Sequence, residues 1–388
     1  MTSNPPEFER MRPYVDAEVP EVMERLISDP LTFQVLSFPF PEKSHNQLIE
    51  LARSCKSVRD VQHKMTHHAI RSIVKQTATG LTYEGFEQLA SDTGYLFLSN
   101  HRDIILDSAI LNILLVEHKL ETCEIGIGSN LLISSLITDL TKINRSFTIA
   151  RDQVGREQYE AAQQLSHYLQ HKITQAHTSI WLAHRNGRAK DGNDTTETGL
   201  VKMLDMGKGT FLENLSNLKI MPMAISYEYE PCDLYKVKHV YQQQRGLPIT
   251  RSKREDLKNL LAGVTDFKGR IHLGLARQLS RQELEQIASY RQKGERFQRL
   301  IKLLDTRIQQ AYKLWPTNFV AADALLPCPK FTSNYTKEEK DAFTSHMTQQ
   351  VSKLEGDSRQ LQQLFLSIYA RPVFNAQGIP LPVPIVDS

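Results

Sequence analysis

The chain has 388 residues, 40% apolar and 23% charged, which suits a globular protein with one large domain or a domain with a helical addition. Its net charge of +3 makes no compositional case for nucleic acid. Four scattered cysteines (Cys55, Cys123, Cys232, Cys328) include no C-x-x-C pair, which excludes the common zinc patterns and argues against a disulfide framework, in keeping with a reducing cytoplasm.

Residues 1–80 read as a helical region. A polar, acidic lead without the apolar core of a secretory signal runs into one helix that ends near Asp29–Pro30. Between 44 and 79, Leu48, Leu51, Val58, Val61, Met65, Ile70 and Ile73 recur at helical spacing. His63 and His67 lie four apart there, but no third ligand and no intervening acid accompany them. A solvated helix face is the expectation, not a metal site.

Residues 81–279 alternate strands with helices. Leu81–Leu89 is a short extended piece closed by a turn at Ser91–Gly94. In the stretch YLFLSNHRDIILDSAI, the apolar run Tyr95–Leu98 stops at Ser99–Asn100. A polar turn with His101 and Asp103 then leads into an apolar helix that reaches Val116. Further strands are expected at Cys123–Gly128, Ser146–Ala150, Thr178–Ala183, Leu218–Ile225 and Lys268–Leu275. Helices are expected at Leu131–Leu140, around Leu165, Tyr168 and Leu169 with Asp152 as N-cap, and across Leu200–Phe211. Pro222 argues for an edge strand or a bulge. The alternation predicts the α/β class, a mixed β-sheet covered by helices.

Residues 280–388 read as a C-terminal helical extension. Arg281–Leu314 looks like one long charged helix, residues 336–369 like further helix, and the Pro-rich tail from Pro372 irregular. The most apolar windows, Ile104–Val116 and Ile125–Ile137, fall short of the roughly 18 uninterrupted apolar residues that span a bilayer.

His101 is the candidate general base, with Asp103 and Asp107 as candidate partners. On one continuous helix the six-residue interval would put His101 and Asp107 on different faces, so their pairing requires His101 in the turn ahead of the helix. Either acid can fix the imidazole tautomer, and Asp103 suits the helix N-terminus as well. A bland alternative is a histidine satisfied by a nearby acid. A metal-assisted hydrolase would use His101, Asp103 and Asp107 as ligands. HRD is not a kinase loop, because Ser108 stands where an Asn is required and Asp266-Phe267-Lys268 lacks the glycine of D-F-G. MGKGT is not a P-loop, because position 202 is not glycine and Gly209 follows Lys208.

Cations gather at two other strand ends. Arg151 ends one strand, and Arg185, Arg188 and Lys190 follow another within HRNGRAKDGND, His184–Asp194. Open α/β sheets hold ligands beyond strand ends, and arginines beside glycine backbone suit a phosphate. A base beside a phosphate anchor points to a hydroxyl nucleophile on a phosphorylated substrate.

The ordered set NHRDIILD, SFTIAR, IWLAHRNGRAKDG and IMPMAI resembles the four sequence blocks of the glycerolipid acyltransferase family, over roughly Leu81–Tyr229. Members acylate glycerol-3-phosphate or 1-acylglycerol-3-phosphate, and the resemblance implies an O-acyltransferase of phospholipid biosynthesis with the family's α/β domain at 81–279. It implies His101 as base, Asp107 as its partner, and Arg151, Gly187 and Arg188 as holders of the acceptor phosphate. Arg185, Asn186 and Lys190 belong to the same block, and Pro222 would shape the strand beside the donor channel. The His–Asp interval is one residue longer than the usual form, which keeps Asp103 a candidate, and Asn186 stands where the family has a glutamate. Acyl-CoA or acyl carrier protein would be the thioester co-substrate, with no metal or organic cofactor. A glycerophosphate or lysolipid would be the acceptor, and no nucleic acid would be a partner. The resemblance further implies a cytoplasmic protein at the cytoplasmic membrane face. Because the product partitions into lipid, the apolar faces of Ile104–Val116 and Ile125–Ile137 are candidates for peripheral contact, although ordinary core helix is the favoured reading of both. The rival with the same fold is a lipid-binding pseudo-acyltransferase with altered catalysis. The extension past Ser280 lies outside the resemblance.

Overall fold

Seven strands form one mixed sheet in the order β1-β7-β6-β2-β5-β3-β4. They are β1 (Ala78–Glu84), β2 (Leu96–Ser99), β3 (Glu124–Gly128), β4 (Ser146–Ile149), β5 (Ile180–Ala183), β6 (Ile220–Tyr227) and β7 (Gly269–Leu275). The computed structural model describes residues 5–248 and 253–382. Neighbours from β6 to β4 run parallel, while β7 is antiparallel to β6 and parallel to β1. The C-terminal ends of β2, β3, β4, β5 and β6 therefore lie along one edge, which is where the polar turns sit. The chain is of the α/β class, as its alternation predicts.

Burial on both faces explains the strand sequences. All four residues of β2 are buried, with Leu96 and Leu98 in one core layer and Phe97 in the other. All eight residues of β6 are buried too. Pro222 thus sits in an interior strand, not at the expected edge or bulge. Its carbonyl accepts from Ala276 N (2.8 Å), so the missing N–H also faces β7, beyond the last ladder pair Met223–Leu275. No ladder bond is lost there.

Helices cover the sheet in chain order. At the N-terminus, α1 (Val19–Ser28) ends as expected before Asp29–Pro30, but Asp29 then caps a further helix, α2 (Pro30–Ser37). The predicted helical stretch 44–79 comprises α3 (His45–Ser54), the single turn α4 (Val58–Asp60), a π-helical turn (Val61–Thr66) and α5 (His67–Thr77). His67 pairs with Glu117 at 3.0 Å, and no three His, Cys, Asp or Glu side chains among the described residues gather as a ligand set.

The central helices are α6 (Leu106–Glu117), α7 (Ser135–Ile143), α8 (Gly155–Thr174), α9 (Thr198–Leu204) and α10 (Phe211–Asn217). Asp152 does not cap α8. It takes a left-handed φ of 66°, and the helix begins at Gly155 after Val154. The expected helix across Leu200–Phe211 is broken, because Asn214 folds back on the Asp205–Gly209 turn and Thr210 starts a new capping box with Glu213. Apolar α6 is buried from Leu106 to Ser108 and from Ile110 to Leu115, so it is core and not a membrane-facing surface. Leu131 and Ile133, in the second apolar window, remain exposed.

Apart from β7, the regular elements described after β6 are helices. They are α11 (Asp233–Gln244), α12 (Lys253–Thr265), α13 (Arg281–Ala288), α14 (Lys293–Ala311), α15 (Pro316–Leu325), α16 (Lys337–Val351) and α17 (Ser358–Gln377). The predicted long helix 281–314 is two helices. Arg296 Nε donates to Tyr290 O (2.6 Å) and Arg299 lies 3.7 Å over the Tyr290 ring, which secures the bend between them. Pro372 is inside α17 and does not open an irregular tail. A proline there frees the carbonyl of Ile368, four residues back, and that carbonyl lies against Gly192. The end of the tail, 383–388, lies outside the described residues. No helix among the described residues is long and apolar enough to cross a membrane.

Candidate active site

The turn after β2 places His101 at the sheet's C-terminal edge. His184 N donates to Ser99 O (2.8 Å) and Ala189 N to His101 O (2.9 Å), so the turn lies beside the loop that follows β5. His101 Nδ1 lies 2.9 Å from Asp107 Oδ2. The turn curls back far enough for the same oxygen to accept the backbone N–H groups of Arg102 (2.6 Å) and Asp103 (3.0 Å). Asp107 Oδ1 accepts from the Tyr227 hydroxyl (2.8 Å). Burial and the adjacent Asp107 push the Tyr227 phenol well above its usual range, so it stays a donor.

A carboxylate this deeply buried needs its donors, and Asp107 has four. With Nδ1–H donated to Asp107, Nε2 carries the lone pair, and it has no hydrogen-bond partner among the described residues. The His101 ring meets Trp181 edge-on, with centroids 5.4 Å apart. Asp103 goes elsewhere. Its Oδ1 accepts from Ile105 N (2.9 Å) and Leu106 N (2.8 Å), which fixes the start of α6. Of the two acids predicted beside His101, the geometry brings only Asp107 to the ring.

Behind this turn lies a buried charge cluster that motif reading missed. The Arg102 guanidinium donates to Asp194 Oδ2 (3.1 and 2.5 Å), Gly192 O (3.1 Å) and Glu230 Oε2 (3.3 Å). Burial alone would favour the neutral form, but Asp194 and Glu230 outweigh it and push Arg102 well above its ordinary value. Lys236 Nζ bridges Glu230 Oε1 (2.5 Å) and the Arg102 carbonyl (2.8 Å). Asn100 bonds Asp194 and both backbone groups of Ile225. One signal was present in the sequence: an arginine inside an apolar-flanked turn needs a counter-charge.

The predicted cations divide. Arg188 is half-buried, electrostatically coupled to Cys232, and its Nη1 is buried without a partner. Arg185 donates to Asn193 O (2.8 Å), and its Nε is buried without a partner. Arg151 leans over Gly128, and its backbone N–H bonds Ser129 Oγ (3.1 Å). Burial draws Arg151 below the usual arginine value, against the pull of Glu197 and Asp152. Asn186 and Gly187 form the exposed tip of the loop, where Gly187 has a φ of 73°. Lys190 turns away to His239 on α11 (3.0 Å). His184, at the loop's start, is buried, and burial pushes it down to about 4, so it is neutral.

The arrangement leaves the Nε2 of His101 able to take a proton, and leaves one buried nitrogen each of Arg185 and Arg188 without a partner. No family model and no curated protein matches the chain. Among solved structures it is similar to a 1-acyl-sn-glycerophosphate (LPA) acyltransferase, PlsC, from Thermotoga maritima. The two share 13% identity at a TM-score of 0.38, over 75% of this chain and 93% of that one.

Proposed function

We propose that the protein is an O-acyltransferase that moves a fatty acyl group from a thioester to a hydroxyl of a glycerol phosphate or lysophospholipid. The observation that carries this reading is the His101–Asp107 pair, 2.9 Å apart, in a turn whose neighbouring loop carries Arg185 and Arg188, each with a buried nitrogen that has no partner. The four-block sequence resemblance supports the same reading. The Arg151, Arg185 and Arg188 side chains hold the acceptor phosphate, with Asn186 and Gly187 at the loop tip above it.

His101 Nε2 takes the proton of the acceptor hydroxyl while Asp107 holds the ring and balances the imidazolium that forms. The hydroxyl oxygen attacks the thioester carbonyl, and backbone N–H groups near the start of α6 other than those already held by Asp103 and Asp107 stabilise the oxyanion. Collapse breaks the C–S bond, and the leaving thiolate takes the proton back from His101. No acyl-enzyme is required. General base assistance of this kind contributes about 10²–10⁴-fold. The protein acts from the cytoplasmic side at the membrane surface, where its product partitions. Purified protein offered labelled long-chain acyl-CoA with glycerol-3-phosphate and lysophosphatidic acid in parallel tests the reading and identifies the acceptor.

A further inference from the structure

One buried side chain joins the candidate turn, the 184–194 loop and the neighbourhood of the C-terminal helices. Arg102 follows His101 directly, and its backbone N–H donates to the Asp107 oxygen that faces the imidazole (2.6 Å). Its guanidinium grips the 184–194 loop at Gly192 O and Asp194, and reaches Glu230 after β6. Its outer face lies 5.4 Å from the ring centroid of Tyr312, just past α14. From α17, the Tyr369 hydroxyl accepts Glu230 N–H (2.9 Å) and donates to Asp233 Oδ2 (2.9 Å). Also from α17, Asn375 Nδ2 donates to Asn193 (3.1 Å), and Ile368 O lies against Gly192.

We infer that Arg102 is a positioning residue through which the C-terminal helices set both the His101–Asp107 pair and the arginine loop beside it. The inference rests on the reading of that pair as the base and its orienter. The planar fork of an arginine fits this task. It bonds Asp194, the Gly192 carbonyl and Glu230 in one plane, which a lysine ammonium cannot do. The cluster is balanced in charge, with Arg102 and Lys236 against Asp194 and Glu230. Removing the cation altogether would leave carboxylates buried and under-compensated, so the informative variant keeps the charge.

Arg102→Lys and Tyr369→Phe test the inference. The readout is the His101 imidazole, followed by NMR in histidine-labelled protein and assigned by its loss in His101→Gln. In Arg102→Lys, the Nδ1-protonated tautomer loses population and the titration midpoint moves by about half a unit or more. Tyr369→Phe shifts the same signals in the same direction by less. With acyl transfer as a second readout, Arg102→Lys lowers kcat and raises the acceptor KM, for a loss of about 10²-fold in kcat/KM. A purely structural role would lower Tm and leave the titration and KM of the folded fraction unchanged, and superimposable His101 titrations in wild type and Arg102→Lys overturn the inference. An effect in Arg102→Lys with none in Tyr369→Phe overturns the coupling to the C-terminal helices. A wild-type protein that transfers no acyl group fails the proposed function alone, because the NMR comparison still decides the role of Arg102.

Discussion

His101 Nδ1 and Asp107 Oδ2 are 2.9 Å apart although they stand six positions apart in the chain, because the turn between them folds two backbone N–H groups onto the same oxygen. The intervening Asp103 spends its Oδ1 on the start of α6. These two acids therefore give opposite mutational phenotypes. Asp107→Asn is expected to keep the fold and lose about 10³-fold or more in kcat, as the ring loses its tautomer control. Asp103→Ala is expected to cost about 1 kcal/mol of stability and leave the rate of the folded enzyme within a few-fold. Steady-state kinetics paired with urea melts separate the two, and equal kinetic losses would contradict the assignment.

The arginines carry a binding prediction. Arg151→Ala and Arg188→Ala each remove a charged donor and are expected to raise the acceptor KM by about 10–100-fold, with the donor KM unchanged. Initial rates against both substrates check this. A rise confined to the donor KM would move the phosphate site elsewhere.

The sequence made the β2 turn, the β3, β4 and β5 strands and the cation loop legible, because each is a short apolar run cut off by polar residues. It could not choose between Asp103 and Asp107, since that depends on how tightly one turn curls. The interior place of Pro222 depends on β7 stopping at Leu275, about 50 residues along the chain. The breaks at 205–210 and 289–292 come from side chains folding back on the backbone, Asn214 in one and Arg296 in the other. Arg102 escaped notice for a similar reason: its partners, Asp194 and Glu230, lie 92 and 128 residues away.

Gly192 should tolerate no side chain. It has a φ of 73°, and a Cβ there would overlap Ile368 O. Gly192→Ala is expected to destabilise the chain by about 2 kcal/mol or more, the left-handed backbone alone accounting for roughly 1–2. Thermal or urea denaturation measures it, and a change within about 0.5 kcal/mol would mean that α17 is not pressed against the loop.

Acid should destabilise the protein partly through His184. The folded chain holds this histidine neutral down to about pH 4, whereas the unfolded chain protonates it near 6.5. Between those values the unfolded state binds more protons, so stability falls as the pH drops through that window, by on the order of 3 kcal/mol. His184→Asn should flatten the slope of unfolding free energy against pH between 6.5 and 4. An unchanged slope would place the titration on another group.

The central claim is that His101 is the base of an acyl transfer. Its most direct test gives purified wild type and His101→Ala the same labelled long-chain acyl-CoA, with glycerol-3-phosphate and lysophosphatidic acid as acceptors. Transfer by the wild type, with a loss of about 10²-fold or more in His101→Ala at unchanged thermal stability, is the predicted result. Transfer by His101→Ala at the wild-type rate, or none by the wild type to either acceptor, would contradict it.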